Sequence, residues 1–273
     1  MTDHYAVIGN PITHSQSPRI HRAFKDQFEY TDTPQGISYD AVFADLDKFE
    51  STVRDLFNGG YKGANVTVPF KFEAYQICDT VSARVISSGS GAVNTLINNN
   101  GQIHGDNTDG VGLQNDIEQN LGFSIANKRI LILGAGGAAA GVLTSLLAAK
   151  SITIANRTLE KALAISTNVS NCIASRFEDL DTSFDLIINA TSTGLTDSGL
   201  PIADSVFGSD CLAYEMMYGR ETPFMAQARR NRASVTDGLG MLVEQAAEAF
   251  YLWRGVHPKT APVIQALREG KLL

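Results

Sequence analysis

Between Arg129 and Lys150 the chain reads RILILGAGGAAAGVLTSLLAAK, and this run leaves few folds open to it. Ile130 to Leu133 offer no polar face, so the strand they form must be covered on both sides. Gly134-Ala135-Gly136-Gly137-Ala138-Ala139 then turns the chain into an apolar helix. A second strand follows at once in SITIANRT, with a helix pattern over about Leu159–Asn168. FDLIINAT (Phe184–Thr191) and CLAYEMM (Cys211–Met217) supply further short apolar strands. Buried strands alternating with helices predict a parallel sheet with helices on both faces, an α/β fold.

The turn itself has the pattern GxGxxA. Its first glycine permits the tight turn, the second lets the backbone approach a pyrophosphate, and the small third residue allows close helix–sheet packing at a helix N-terminus that favours phosphate. A tight βα turn without a ligand is the alternative. The end of the second strand bears on which nicotinamide cofactor is expected. An NAD site would place a carboxylate about 20 residues on, to bind the ribose hydroxyl. Here Asn156-Arg157-Thr158 stands there with Lys161 one turn later, and two cations suit a 2′-phosphate, hence NADP. Read otherwise, they are a solvated pair at a helix start, where the dipole disfavours cations.

The first half alternates too. Strands are expected at Tyr5–Ile8, Ser38–Phe43, Ala64–Val68 and Ala92–Ile97, and NNNGQ reads as a hairpin turn. Helices are expected over about Pro18–Phe28, Leu46–Asn58, from Phe72, and over Thr108–Asn120, with Ser17 and Pro18 as N-cap and first helical residue. No linker or repeat interrupts the chain, so the domain boundary is placed near Gly105. In GANVTVPFK, Val66 and Val68 alternate with Asn65 and Thr67, Pro69 stops the ladder, and Lys71 follows. HSQSP, GAVNT and GDNTDGVG add Ser15, Ser17, Asn94, Asp106, Asn107 and Asp109 beside turn residues. Each has an ordinary reading as a cap or turn former.

A nicotinamide cofactor gives the group a task. Taking a hydride from a carbinol carbon requires an acceptor for the hydroxyl proton. His4, His14, His21, His104 and His257 sit near ends and turns in no dyad-like motif. A lysine serves where partial burial tunes it, and a carboxylate such as Asp109 would orient it.

The 44% hydrophobic and 19% charged fractions are those of an ordinary globular chain. Its net charge of −7 argues against a nucleic-acid or anionic-membrane surface, leaving a small-molecule substrate as the expected partner. Cys78, Cys172 and Cys211 form no CxxC pair, so neither a disulfide frame nor a zinc site is expected. MTDHYAVIGNP enters a strand directly and no window approaches a membrane span, so a cytoplasmic enzyme is expected, as a monomer or homodimer.

These stretches together resemble the shikimate dehydrogenase family, and the resemblance spans nearly the whole chain: YAVIGNPITHSQSPRIH, GANVTVPFK, GAVNT, GDNTDGVG, ILGAGGAA, ANRT, INATSTG, TPF and DGLGMLVEQAAEAFYLW. It implies NADP-dependent, reversible reduction of 3-dehydroshikimate to shikimate in chorismate and aromatic amino acid biosynthesis. It implies a two-domain fold with the site in the cleft: an N-terminal α/β substrate domain over residues 1–105, completed by about 241–273, and a Rossmann-like NADP-binding domain over 106–240. The C-terminal helix returns to the first domain. By motif, Lys71 resembles the acid/base and Asp109 its partner. Ser15 and Ser17 would bind the substrate carboxylate, Thr67, Asn94 and Gln245 the ring hydroxyls, and Tyr218 would close on the substrate. Gly134, Ala135, Gly136, Gly137 and Ala138 would meet the pyrophosphate. Asn156, Arg157, Thr158 and Lys161 would surround the adenosine phosphate, with Met216 and Gly238 beside the nicotinamide.

Three departures are visible. Lys161 stands where relatives often carry arginine, which implies a softer NADP preference. GAGGAAAG lacks the polar or basic residue often found after the turn. SSGSGAVNT is longer than usual, so that loop is expected to be mobile. Two rivals stay open: a quinate/shikimate dehydrogenase with relaxed NAD/NADP use, and a ligand-sensing relative that has lost the chemistry.

Overall fold

The structure, a computed structural model, describes residues 2–28, 36–89, 91–167, 169–195 and 198–272. The chain forms two compact units, Met1–Gly112 with Leu242–Leu273, and Leu113–Met241.

The first unit begins with β1 (Asp3–Gly9), α1 (Ser17–Asp26), β2 (Ile37–Phe43), α2 (Phe49–Asn58), β3 (Gly63–Val66), α3 (Lys71–Gln76), β4 (Thr80–Val81), α4 (Ala83–Ser88), β5 (Thr95–Asn99) and β6 (Gln102–Asp106). Its sheet has the order β2-β1-β3-β5-β6-β4, with β1 parallel to β2 and β3, and β5 antiparallel to β3 and β6. α5 (Asp109–Asn115) follows and ends in a π turn over Asp116–Asn120.

The second unit contains β7 (Arg129–Leu133), α6 (Gly137–Val142), β8 (Ser151–Ala155), α7 (Leu159–Ser166), β9 (Cys172–Ser175), β10 (Phe184–Asn189), β11 (Phe207–Glu215), α8 (Pro223–Arg230) and β12 (Ser234–Asp237). All its strands are parallel, in the order β12-β11-β10-β7-β8-β9. Ile130 and Ile132 enter one core and Leu131 and Leu133 the other, which is why the sequence of β7 has no polar face. The strand order reverses between β7 and β10, the topological switch point where such sheets bind ligands.

α9 (Leu239–Arg254) and α10 (Ala261–Arg268) complete the first unit. Val243, Ala246, Ala247 and Phe250 of α9 pack with Ile20 and Phe24 of α1 and with Val263 and Ile264 of α10. Trp253 stacks on Tyr5 at 4.7 Å and donates to the Leu96 carbonyl at 3.1 Å. Gly63 is required beneath that indole, because a Cβ there would collide with it.

Several expected elements shift. β3 stops at Val66, not Val68, because the Thr67 carbonyl accepts the Phe70 amide in a turn, which leaves Val68 65% exposed rather than on a buried face. Ser17 is the first residue of α1 and Gln16 its cap, so the Ser17 hydroxyl does not cap the helix. α2 starts at Phe49, after a turn at Asp45–Lys48 that leaves Leu46 exposed. α3 starts at Lys71, and β5 begins at Thr95, later than Ala92. The expected end of α7 at Asn168 and the Ser90 position of the Gly/Ser loop lie outside the described residues.

Candidate active site

Register brings the first unit's polar groups to one end of its sheet. Asn65 pairs across from Thr95, and Thr95 from Asp106, so the end of β3, the start of β5 and the end of β6 coincide. Backbone bonds lock this junction: Val66 donates to Asn94, Asn94 to Asp106, and Val93 to Lys71, at 2.8, 3.1 and 2.9 Å.

Lys71 Nζ forms an ion pair with Asp109 Oδ2, and their side chains are 15% and 7% exposed. Asp109 lies in the first turn of α5, where the helix dipole favours a carboxylate. Asn94 Nδ2 donates to Asp109 Oδ1 at 2.9 Å, while Asn94 Oδ1 accepts the Thr108 amide at 2.8 Å and the Thr95 hydroxyl at 2.9 Å. Asn107 Oδ1 accepts the Asp109 amide at 3.0 Å, and its Nδ2 donates to the Ala92 carbonyl at 2.9 Å. Gln245, from α9, brings Oε1 to 3.4 Å from Asn94 Nδ2 and Thr108 Oγ1 and donates Nε2 to the Leu242 carbonyl. Gly112 makes this approach feasible, since a Cβ there would lie 2.6 Å from Gln245 Cβ.

Ser15 Oγ accepts the Ser17 amide at 3.3 Å, and Ser17 is buried at the start of α1. Tyr39 donates to Asn65 Oδ1 at 2.7 Å, and Asn65 Nδ2 donates to Thr95 Oγ1 at 3.1 Å. A chain of hydrogen bonds thus runs from Tyr39 through Asn65, Thr95 and Asn94 to the Lys71–Asp109 pair. Asn65 is consumed by this chain, with both its amide oxygen and its amide nitrogen bonded internally. Thr67 is half-buried, with no side-chain hydrogen bond among the described residues.

Sequence reasoning missed Tyr39, Thr108 and the placement of His21. His21 lies within α1, not at a turn, is 1% exposed, and stacks on Tyr39 at 4.0 Å. Burial lowers its pKa to about 3, so it is neutral and unsuited to take a proton near neutrality. Burial also keeps the Tyr39 hydroxyl protonated. In the sequence Thr108 stands out only through its place inside GDNTDGVG, and Tyr39 only through its strand.

In the second unit, Gly134 has φ +103°, and a Cβ there would come within 3.1 Å of the Ala190 carbonyl oxygen. A Cβ at Gly136 would meet nothing within 4 Å, so open space lies above the turn that continues through Ala135 to Gly137 and Ala138. At the end of β8, Asn156 Nδ2 donates to the Thr158 carbonyl at 2.9 Å, while Arg157 and Lys161 are exposed and have no carboxylate partner among the described residues. An open glycine turn beside two unpaired cations fits a dinucleotide with an extra phosphate. Gly238 donates its amide to the Met217 carbonyl at 2.9 Å, and a Cβ on it would collide with the Met216 carbonyl, so Met216 and Gly238 lie together. Tyr218 is half-buried in the same segment. Cys78, Cys172 and Cys211 are unpaired, and burial raises the thiols to about 12, 11 and 12. Among the described residues no helix is long and apolar enough to cross a membrane, and no cluster of three or more His, Cys, Asp or Glu could hold a metal.

Comparison with known proteins gives these features a family. Residues 7–96 match a family model described as the shikimate dehydrogenase substrate binding domain, residues 116–196 one described as shikimate/quinate 5-dehydrogenase, and residues 238–268 the shikimate 5′-dehydrogenase C-terminal domain. A shikimate dehydrogenase (NADP(+)) of Methylobacillus flagellatus is 56% identical, covering 98% of this chain and all of that protein. One of Janthinobacterium sp. is 50% identical, covering 98% of each. A crystal structure of shikimate 5-dehydrogenase from Thermus thermophilus, in complex with NADP(H) and shikimate, superposes with a TM-score of 0.86 at 30% identity, covering 98% of this chain and 99% of that one. The chain belongs to the shikimate dehydrogenase family.

Proposed function

We propose that the chain reversibly reduces 3-dehydroshikimate to shikimate with NADPH. The observation that carries this reading is the Lys71–Asp109 pair, built where three strand ends meet and oriented by Asn94. The bound nicotinamide supplies or takes the hydride. Lys71 Nζ gives a proton to the carbonyl oxygen during reduction and takes it back from the hydroxyl during oxidation. Asp109 holds the ammonium in place, and Asn94 prevents the carboxylate from turning away.

Ser15 and Ser17 bind the substrate carboxylate with hydroxyl donors. Thr67, Asn94 and Gln245 take ring hydroxyls, and Tyr218 is a further substrate contact. Gly134, Ala135, Gly136, Gly137 and Ala138 receive the pyrophosphate, Asn156 and Thr158 border the adenosine, Arg157 and Lys161 take the 2′-phosphate, and Met216 and Gly238 flank the nicotinamide. Functionally, the first unit is the substrate domain and the second the NADP domain; the boundary expected near Gly105 falls at Gly112 in the structural division, which keeps Asp109 with Lys71. The three unpaired thiols support a cytoplasmic location, and the expected assembly, monomer or homodimer, is read by sedimentation.

A spectrophotometric assay of shikimate and quinate, each with NADP and with NAD, tests the reading. Turnover is expected with shikimate and NADP above the other pairings. Preference for quinate and NAD would instead place the chain among the quinate-using members, and no turnover with any pair would point to a sensing relative.

A further inference from the structure

Glu215 ends β11 fully buried, and no cation pairs with it among the described residues. Such a carboxylate is costly unless its acceptor sites are filled. They are filled from three segments. Oε2 accepts Asn189 Nδ2 at 2.7 Å from the end of β10 and the Thr222 hydroxyl at 2.8 Å from the cap of α8. Oε1 accepts the Met217 amide at 3.1 Å.

Asn189 extends the network toward the glycine turn. Its Oδ1 accepts the Thr191 amide at 3.1 Å and the Thr191 hydroxyl at 2.7 Å. Thr191 Cγ2 lies 3.1 Å from where a Cβ on Gly134 would stand. From the other side, Asp237 accepts the Gly219 amide at 3.5 Å, and Gly238 donates to the Met217 carbonyl at 2.9 Å. The segment Met216–Gly219 is therefore held at both ends, and its link to the glycine turn passes through Glu215 and Asn189.

We propose that Glu215 is a positioning residue: with Asn189 it sets the Met216–Gly219 segment in register with the Gly134 turn and so places Met216 and Tyr218 for hydride transfer. The proposal rests on the function proposed above. It turns on hydrogen-bond polarity, because Asn189 Nδ2 and the Thr222 hydroxyl both donate to one oxygen. A glutamine at 215 has one acceptor where three donors converge: its amide nitrogen faces either Asn189 Nδ2 and the Thr222 hydroxyl or, flipped, the Met217 amide, and Asn189 cannot flip to accommodate it without losing both bonds to Thr191. The reciprocal pair Asn189→Asp with Glu215→Gln restores one donor facing one acceptor.

The test compares wild type, Glu215→Gln and the double variant by hydrogen exchange of the unliganded protein, by kcat and KM, and by binding of 2′,5′-ADP. Glu215→Gln is expected to speed amide exchange across 216–221 about tenfold relative to β7 and β10 and to lower kcat by about tenfold to a hundredfold. Affinity for 2′,5′-ADP, a probe of the phosphate end alone, stays within about twofold. The double variant recovers most of both losses. Exchange that rises equally across the sheet, kcat per folded molecule that stays normal, or a double variant as impaired as the single one would overturn the proposal. If Glu215→Gln does not fold, Glu215→Asp, which withdraws the carboxylate by one methylene, is expected to give the same pattern in weaker form, and unchanged exchange and kcat in it would also overturn the proposal. Local exchange in the variant beside a wild type inactive on every substrate pair would retain the anchoring and sink the functional reading instead.

Discussion

Asn94 holds the oxygen of Asp109 that Lys71 leaves free: its Nδ2 lies 2.9 Å from Oδ1, while Lys71 Nζ pairs with Oδ2. The carboxylate is thereby fixed in rotation, and the ammonium has one place to sit. Replacing Asn94 with alanine frees that rotation and also strands the Thr108 amide, which donates to Asn94 Oδ1 at 2.8 Å. Turnover of Asn94→Ala is expected to fall by about tenfold to a hundredfold, with the cofactor Kd unchanged. Steady-state kinetics beside an NADPH titration measure both, and a loss confined to NADPH affinity would take Asn94 out of the reaction.

Lys71 is the residue whose loss should matter most. Lys71→Ala is expected to lower kcat by about 10²- to 10⁴-fold, the range typical of a missing general acid/base. NADPH binding should stay nearly intact, because the residues assigned to it belong to the other unit. Near-normal turnover in the folded variant would remove Lys71 from the mechanism.

Lys71, Asn94 and Asp109 could each be picked out from the sequence as functional groups beside turn residues, but their meeting could not. It depends on β3, β5 and β6 pairing antiparallel in one register, a long-range property that local periodicity does not carry. The second unit was more legible, because a buried parallel strand writes its burial as an unbroken apolar run, as in β7. β9 and β12 have four residues each with half-exposed faces, and no such signal marks them. Glu215 was hidden for the opposite reason: it lies inside an apolar run that reads as a strand, and only the fold reveals donors from three segments around it. His21 was hidden similarly, since nothing local tells a buried imidazole in a helix from an exposed one.

Arg157 is the residue proposed to set the cofactor preference. It is exposed just after β8, with no carboxylate partner among the described residues, so its removal breaks no ion pair among them. Arg157→Ala is expected to weaken NADPH by about 10- to 100-fold and NADH by less than about threefold, the difference being a charge-assisted bond to the 2′-phosphate. Titration of nicotinamide fluorescence with both cofactors reads the ratio, and equal weakening would refute the role. Lys161→Ala should act in the same direction but less, because an ammonium cannot make the bidentate contact of a guanidinium.

His21 gives the fold a pH dependence of definite sign. Burial lowers its folded pKa to about 3, below the ordinary histidine value of about 6.5. Between those values the unfolded chain binds a proton that the folded chain refuses, so stability falls as pH drops through that window and is unaffected above it. The slope should be about 1.4 kcal/mol per pH unit, and the full loss is on the order of 5 kcal/mol. His21→Phe keeps a ring against Tyr39 and removes the titration, so its stability should decline less steeply below pH 6 by about one proton per molecule. Urea unfolding at a series of pH values measures the slope, and identical slopes for the two proteins would mean that His21 does not control acid stability.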